Sequence, residues 1–202
     1  MILPRAFYER DTVTVARDLV GQILIRRTQE GICAGRIVET EAYLGERDPA
    51  AHSYRGRTER VRVQFGPAGH AYVYLIYGMY WCLNFTSGPA GVPEVVLLRA
   101  LEPISGLKLM SARRGTDRDT ALCSGPGKLC RAMAVGREQY GADLCREQDG
   151  LWVEAGESLA TDTSPRIGVD YAGEAAAWPL RFTARGSRFL SRPPGSSGDT
   201  HV

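Results

Sequence analysis

No stretch of this chain approaches ~18 consecutive apolar residues, so the sequence contains no candidate membrane span. The start, Met1-Ile2-Leu3-Pro4-Arg5, lacks the basic-then-apolar layout of a secretion signal. Cysteine is sparse and unpaired in pattern: five residues, Cys33, Cys82, Cys123, Cys130 and Cys145, form no C-x-x-C pair. That spacing suits neither a disulfide framework nor a tetrahedral zinc site. The three histidines, His52, His70 and His201, are too scattered for a metal centre. We therefore expect a reduced, cytoplasmic protein that uses no metal or cofactor. Lysine is nearly absent, with Lys108 and Lys128 the only two among 25 basic residues.

The net charge of +2 over 202 residues also hides more than it shows. Residues 52–137 hold 12 basic and 5 acidic groups, while residues 138–162 hold 1 basic and 7 acidic. A strongly basic middle is thus masked by the acidic segment after it. Arginine in place of lysine fits either genomic base composition or bidentate phosphate recognition. The acidic segment is expected on a face turned away from any polyanion.

The length suits one domain with a real core, taken as residues 1–190, with 191–202 a tail of Pro-Gly-Ser composition. Asp11 can cap a helix through Val15–Leu19. Strands are expected at Gln22–Arg27, Gly35–Tyr43, Glu94–Leu101, Leu151–Glu154, Arg166–Val169 and Leu180–Thr183, and helices at Gly106–Arg113 and Gly127–Val135. Ala71–Phe85 reads as a hairpin with its tip near Tyr77-Gly78-Met79. The sum is an α+β fold: one mixed, strand-rich domain.

Four constellations could carry chemistry. Glu41 lies on a strand face with Ile37, Glu39 and Tyr43, where a carboxylate must be paired, hydrated or functional. It fits a salt bridge, for instance with Arg99, or a general base beside a guanidinium. The hairpin carries Tyr72, Tyr74, Tyr77, Tyr80, Trp81 and Phe85. An aromatic at its tip either lies back on the surface or inserts into a gap such as that left by a flipped nucleotide. The arginines Arg55, Arg57, Arg60 and Arg62 form either a solvated run or a phosphate-contacting loop. Ser124-Gly125-Pro126-Gly127-Lys128 leads into a helix start able to hold a phosphate, although the P-loop spacing is absent.

At these residues the chain closely resembles the alkyladenine (3-methyladenine) DNA glycosylase family, as distinct from the helix-hairpin-helix glycosylases. The matching blocks include Gly35–Gly45, Ala50-Ala51-His52-Ser53, Phe65-Gly66-Pro67, Tyr72–Tyr80, Leu83-Asn84, Val96–Pro103, Cys123–Leu129, Arg166–Val169 and Pro179–Phe182. The resemblance implies a curved antiparallel β-sheet with flanking helices and a protruding β-hairpin. It implies a monofunctional enzyme, a monomer acting on double-stranded DNA that contains alkylated purines, with a nucleoid-associated location. Catalytic roles fall on Glu41, which activates water, and on Arg99 and the Val169 main chain, which position it. The base would stack among Tyr43, His52 and Tyr74, with main-chain groups near Ala50 and His52 reading its edge and Asn84 excluding normal purines. Tyr77 would be the intercalating wedge, and Arg55, Arg57, Arg60, Gly127 and Lys128 would meet the DNA backbone.

The chain departs from the family wording at Glu59-Arg60-Val61 and at Gly173–Trp178. Two rival readings remain: a non-catalytic module binding flipped or single-stranded bases, and an enzyme of the same fold acting on small nucleosides or sugars.

Overall fold

The structure is a computed structural model and describes residues 1–193. Residues 194–202, most of the expected tail, lie outside the described residues.

A long strand organises the molecule. β2 (Gly31–Tyr43) has partners on both edges: β5 (Glu94–Ser105) on one, and β1 (Ile23–Thr28) followed by β8 (Arg181–Ala184) on the other. The sheet has eight strands, in the order β3-β4-β5-β2-β1-β6, with β8 joining β2 to β7 (Thr161–Ser164). Every named pairing is antiparallel. The β3–β4 hairpin (Ala71–Ile76 and Tyr80–Ser87) forms one edge, and β6 (Leu151–Glu154) lies at the other end.

Short helices cover one face. Asp11 caps α2 (Thr12–Asp18) by accepting from the Thr14 amide, and α2 packs on β2, where the Thr40 hydroxyl donates to the Ala16 carbonyl at 2.7 Å. α3 (Leu107–Arg114) and α5 (Pro126–Ala132) pack together, and α5 lies on β4 and β5. α1 (Arg5–Tyr8) and α4 (Asp119–Leu122) are single turns. One main core cluster draws on residues from Leu3 to Phe189, in keeping with a single α+β domain.

Three expectations change. Arg166–Val169 is not a strand, because the Ile167 amide donates to the Glu41 carboxylate instead of a neighbouring strand and Gly168 takes a left-handed φ of 73°. Thr161–Ser164, all hydroxyl and carboxylate side chains, is a strand that apolar alternation could not reveal; main-chain pairing to β8 holds it. Ser191, placed in the tail by composition, is tied into the domain through its amide and hydroxyl, both bonded to Glu39.

Candidate active site

The face of β2 opposite the helices carries Glu39 and Glu41, both fully buried. Irregularities in the β2–β5 ladder place Arg99 beside them. The register passes from Glu39 opposite Ala100 to Thr40 opposite Leu98, leaving Arg99 in a bulge. Bulges re-aim side chains, often beside active sites. Arg99 spans both acids: its Nε donates to Glu39 at 3.0 Å and its Nη1 to Glu41 at 3.4 Å. Burial works against the Arg99 charge, but Glu41 and Glu39 outweigh it and hold its pKa above the usual arginine value.

The two carboxylates differ in what remains open. Glu39 accepts from Arg99, from Arg181 Nε at 2.8 Å, and from the Ser191 hydroxyl and amide at 2.7 and 2.6 Å. Three of these donors converge on Oε1 and the Ser191 amide takes Oε2, so Glu39, held between two arginines and the end of the domain, is a structural anchor. Glu41 accepts from the Tyr43 hydroxyl and the Ile167 amide, both at 2.8 Å, and from Arg99. That leaves one lone-pair direction for a further donor such as water. The Tyr43 phenol is pushed well above its ordinary pKa, first by burial and then by Glu41, so it remains a donor.

Next to Glu41 is a cavity of about 320 Å³, at the small end of ligand pockets. Tyr43, Ala50, His52, Tyr74, Asn84, Arg99 and Val169 all line it, so the residues chosen from sequence converge, with Tyr77 and Lys128 at the same cavity. Tyr72 and Tyr74 stack with centroids 5.4 Å apart, and the His52 ring stands edge-on to Tyr74 at 4.5 Å. His52 Nδ1 is 3.0 Å from the Tyr72 hydroxyl. Partial burial against these rings, and then the Arg60 guanidinium, pull the His52 pKa down to about 4, while the rest of the residue stays open to solvent. The imidazole is therefore neutral at pH 7. Asn84 is held by donation from Nδ2 to the Tyr72 carbonyl at 3.2 Å.

A second buried pair supports the cavity wall from behind. Asp48 and Arg166 have no exposed side-chain area. Asp48 Oδ2 accepts from the Leu44 amide and Oδ1 from the Ala50 amide, both at 3.0 Å, while Arg166 bonds both carboxylate oxygens. The Arg166 guanidinium also lies 4.6 Å from the centre of the Tyr43 ring. One ion pair thus fixes the segments carrying Tyr43 and Ala50. The Ala50 carbonyl accepts from Tyr171, an exposed residue that also lines the cavity.

The hairpin tip is the three residues Tyr77-Gly78-Met79 between the paired Ile76 and Tyr80, tightened by the Met79 amide donating to the Ile76 carbonyl. Tyr77 and Gly78 have φ of 52° and 68°, the pair of positive values a type I′ turn requires. Tyr77 is 66% exposed and Met79 67%, with Leu75 and Tyr80 also exposed.

The cationic groups divide. Arg55 and Arg57 are exposed and make no ion pair among the described residues; Arg57 rests over the Phe65 ring at 5.9 Å. Arg60 is also exposed, with its guanidinium 5.2 Å over the ring of Tyr74. Gly127 is buried, and a Cβ there would stand 3.0 Å from that of Tyr80, so this glycine seats the hairpin on α5. The acidic segment is neutralised locally, with Asp143, Glu147, Glu157 and Asp162 paired to Arg5, Arg27, Arg36 and Arg185.

Several residues of the cavity and of its support escaped the sequence reading. Asp48 lay in a polar stretch and Arg166 in an expected strand. The Ile167 amide has no side-chain signature. Gln64 stood out only as a polar residue among Val61, Val63 and Phe65.

Comparison with known proteins bears on the family of the chain. A protein of Methanoculleus marisnigri named "Putative 3-methyladenine DNA glycosylase" is 52% identical over 199 residues, covering 95% of this chain and all of its own. Proteins of the same name from Methanocella arvoryzae and Alkaliphilus oremlandii are 52% and 44% identical, covering 96% and 95% of this chain and 98% and 100% of theirs. The family model for methylpurine-DNA glycosylase matches residues 6–188. With a match of that extent, the chain belongs to the methylpurine-DNA glycosylase family of DNA-repair enzymes.

Proposed function

We propose that this glycosylase flips alkylated purines such as 3-methyladenine out of duplex DNA and hydrolyses the N-glycosidic bond with a water activated by Glu41, leaving an abasic site. The observation that carries the reading is a buried carboxylate with one open acceptor position, bonded to Tyr43, Arg99 and Ile167 in the wall of an aromatic cavity that the tyrosine-tipped hairpin also lines.

In this mechanism Glu41 accepts a proton from water as its oxygen attacks C1′ of the sugar. The C1′–N bond breaks and its electron pair stays with the base. An N3- or N7-alkylated purine is cationic and leaves as a neutral molecule, so it needs no general acid. Arg99 holds the carboxylate in place, and the Val169 main chain helps position the water. Tyr43, Tyr74 and neutral His52 receive the base; the aromatic faces attract a cationic ring, and an uncharged imidazole does not repel it. Asn84 restricts the cavity by shape, and Ala50 offers main-chain groups to the base edge.

Tyr77 fills the vacated stack, a wedge role for which exposed apolar side chains are suited. Arg55, Arg57 and Lys128 contact phosphates, and Arg60 can reach them only by leaving Tyr74. The protein works as a monomer without a metal or cofactor. Duplexes carrying a single lesion, incubated with the enzyme and then cleaved with alkali at abasic sites, test the activity. Glu41→Gln is expected to bind the damaged duplex and release no base, and base release at the normal rate by that variant would reject the assignment.

A further inference from the structure

Buried polar side-chain atoms nearly always have partners. Of the described residues whose buried side-chain atoms lack one, Gln64 alone lines the cavity. Its side chain belongs to the 3₁₀ segment Glu59–Phe65, the residue is 1% exposed, and both the amide oxygen and the amide nitrogen are unpartnered. Other polar groups nearby are already engaged: the Tyr72 hydroxyl with His52, Asn84 Nδ2 with the Tyr72 carbonyl, and Tyr43 with Glu41. An amide left unsatisfied in the wall of a ligand cavity carries a desolvation cost that a bound molecule can relieve.

We propose that Gln64 reads the hydrogen-bonding edge of the purine in the cavity and so sets which damaged bases the enzyme accepts. A base gripped by its faces among tyrosines turns its edge to the remaining wall. A glutamine amide presents one donor and one acceptor side by side, which suits a purine edge with the complementary pair. An adenine-type edge offers an exocyclic amino donor beside a ring-nitrogen acceptor. A 6-oxopurine such as hypoxanthine offers N1–H beside O6, which the same amide meets after a flip. In 1,N6-ethenoadenine both edge nitrogens are tied into an added ring, so no donor remains. Gln64 therefore favours lesions whose edge is intact.

This inference rests on the cavity being the base pocket, and its test has a binding arm independent of chemistry. Gln64→Met keeps length and removes both polar atoms; Gln64→Leu is the second variant, and a melting temperature at or above wild type shows that each folds. Competition binding is measured with duplexes carrying hypoxanthine or ethenoadenine, alongside release of 3-methyladenine from methylated DNA. The expected result is about a tenfold loss for the hypoxanthine duplex and for 3-methyladenine release, with ethenoadenine affinity unchanged within twofold. Equal losses for both duplexes, or no loss for either, would overturn the role of Gln64. A wild-type protein that binds the duplexes but releases no 3-methyladenine would instead defeat the proposed activity and leave the Gln64 comparison readable.

Discussion

Asp48→Asn isolates the electrostatic part of the cavity wall, because the side chain keeps its size. Asp48 accepts from four donors: the Leu44 and Ala50 amides and both terminal nitrogens of Arg166. An asparagine in either orientation turns an amino group toward two of these donors, and it leaves the buried Arg166 cation without a counter-charge. Breaking a buried pair from one side costs about 3–5 kcal/mol. In a domain of this size 1 kcal/mol corresponds to roughly 2–4 °C, so the melting temperature should fall by about 6–20 °C. Thermal unfolding followed by circular dichroism measures it. Adding Arg166→Met to Asp48→Asn should recover part of the loss, since the double variant has no stranded charge. A melting temperature for Asp48→Asn within 2 °C of wild type (an estimated threshold on the same scale) would refute the reasoning. So would simple additivity of the two substitutions.

Other consequences can be checked separately. Tyr77→Ala should weaken binding to a lesion duplex more than to the matching single strand, measured by fluorescence anisotropy; equal losses would reject the wedge role. Gly21→Ala should destabilise the fold by about 3 kcal/mol in urea denaturation, because φ there is +101° and a Cβ would lie 1.9 Å from the Glu157 carbonyl oxygen. His52 should titrate near pH 4 by NMR; since its folded pKa lies below the ordinary 6.5, its contribution to stability falls as pH drops from about 6.5 toward 4. A midpoint near 6.5 would contradict the desolvated environment assigned to the ring.

The hairpin, the Glu41 strand and the basic middle were legible because each depends on local pattern: alternation, a glycine at a tight turn, a run of arginines. Tyr77 at the apex followed from the spacing of aromatics around Gly78 alone. What could not be read was the part assembled across long separations. Nothing local marks Glu39 as the anchor and Glu41 as the less engaged acid; the difference comes from Arg181 and Ser191, well over a hundred residues away. Arg166 matched the signature of a strand residue until its partner Asp48 was known. Arg60 was read as a phosphate ligand from its loop, and only the fold of that loop shows that its guanidinium also lies over Tyr74.

The bonds that hold the two glutamates run from β2 to the last part of the described chain. Arg181, Ser191 and the Ile167 amide are all made long after β2 leaves the ribosome. A nascent chain released or stalled before residue 167 therefore holds its two glutamates through Arg99 and Tyr43 alone, without the later donors that complete the arrangement, and hydrolysis awaits the end of translation. Long-range closure of this kind slows folding. It also means that a shortened copy competing for damaged DNA would be silent in chemistry, and that fusion partners belong beyond Pro193, clear of the segment that completes the site.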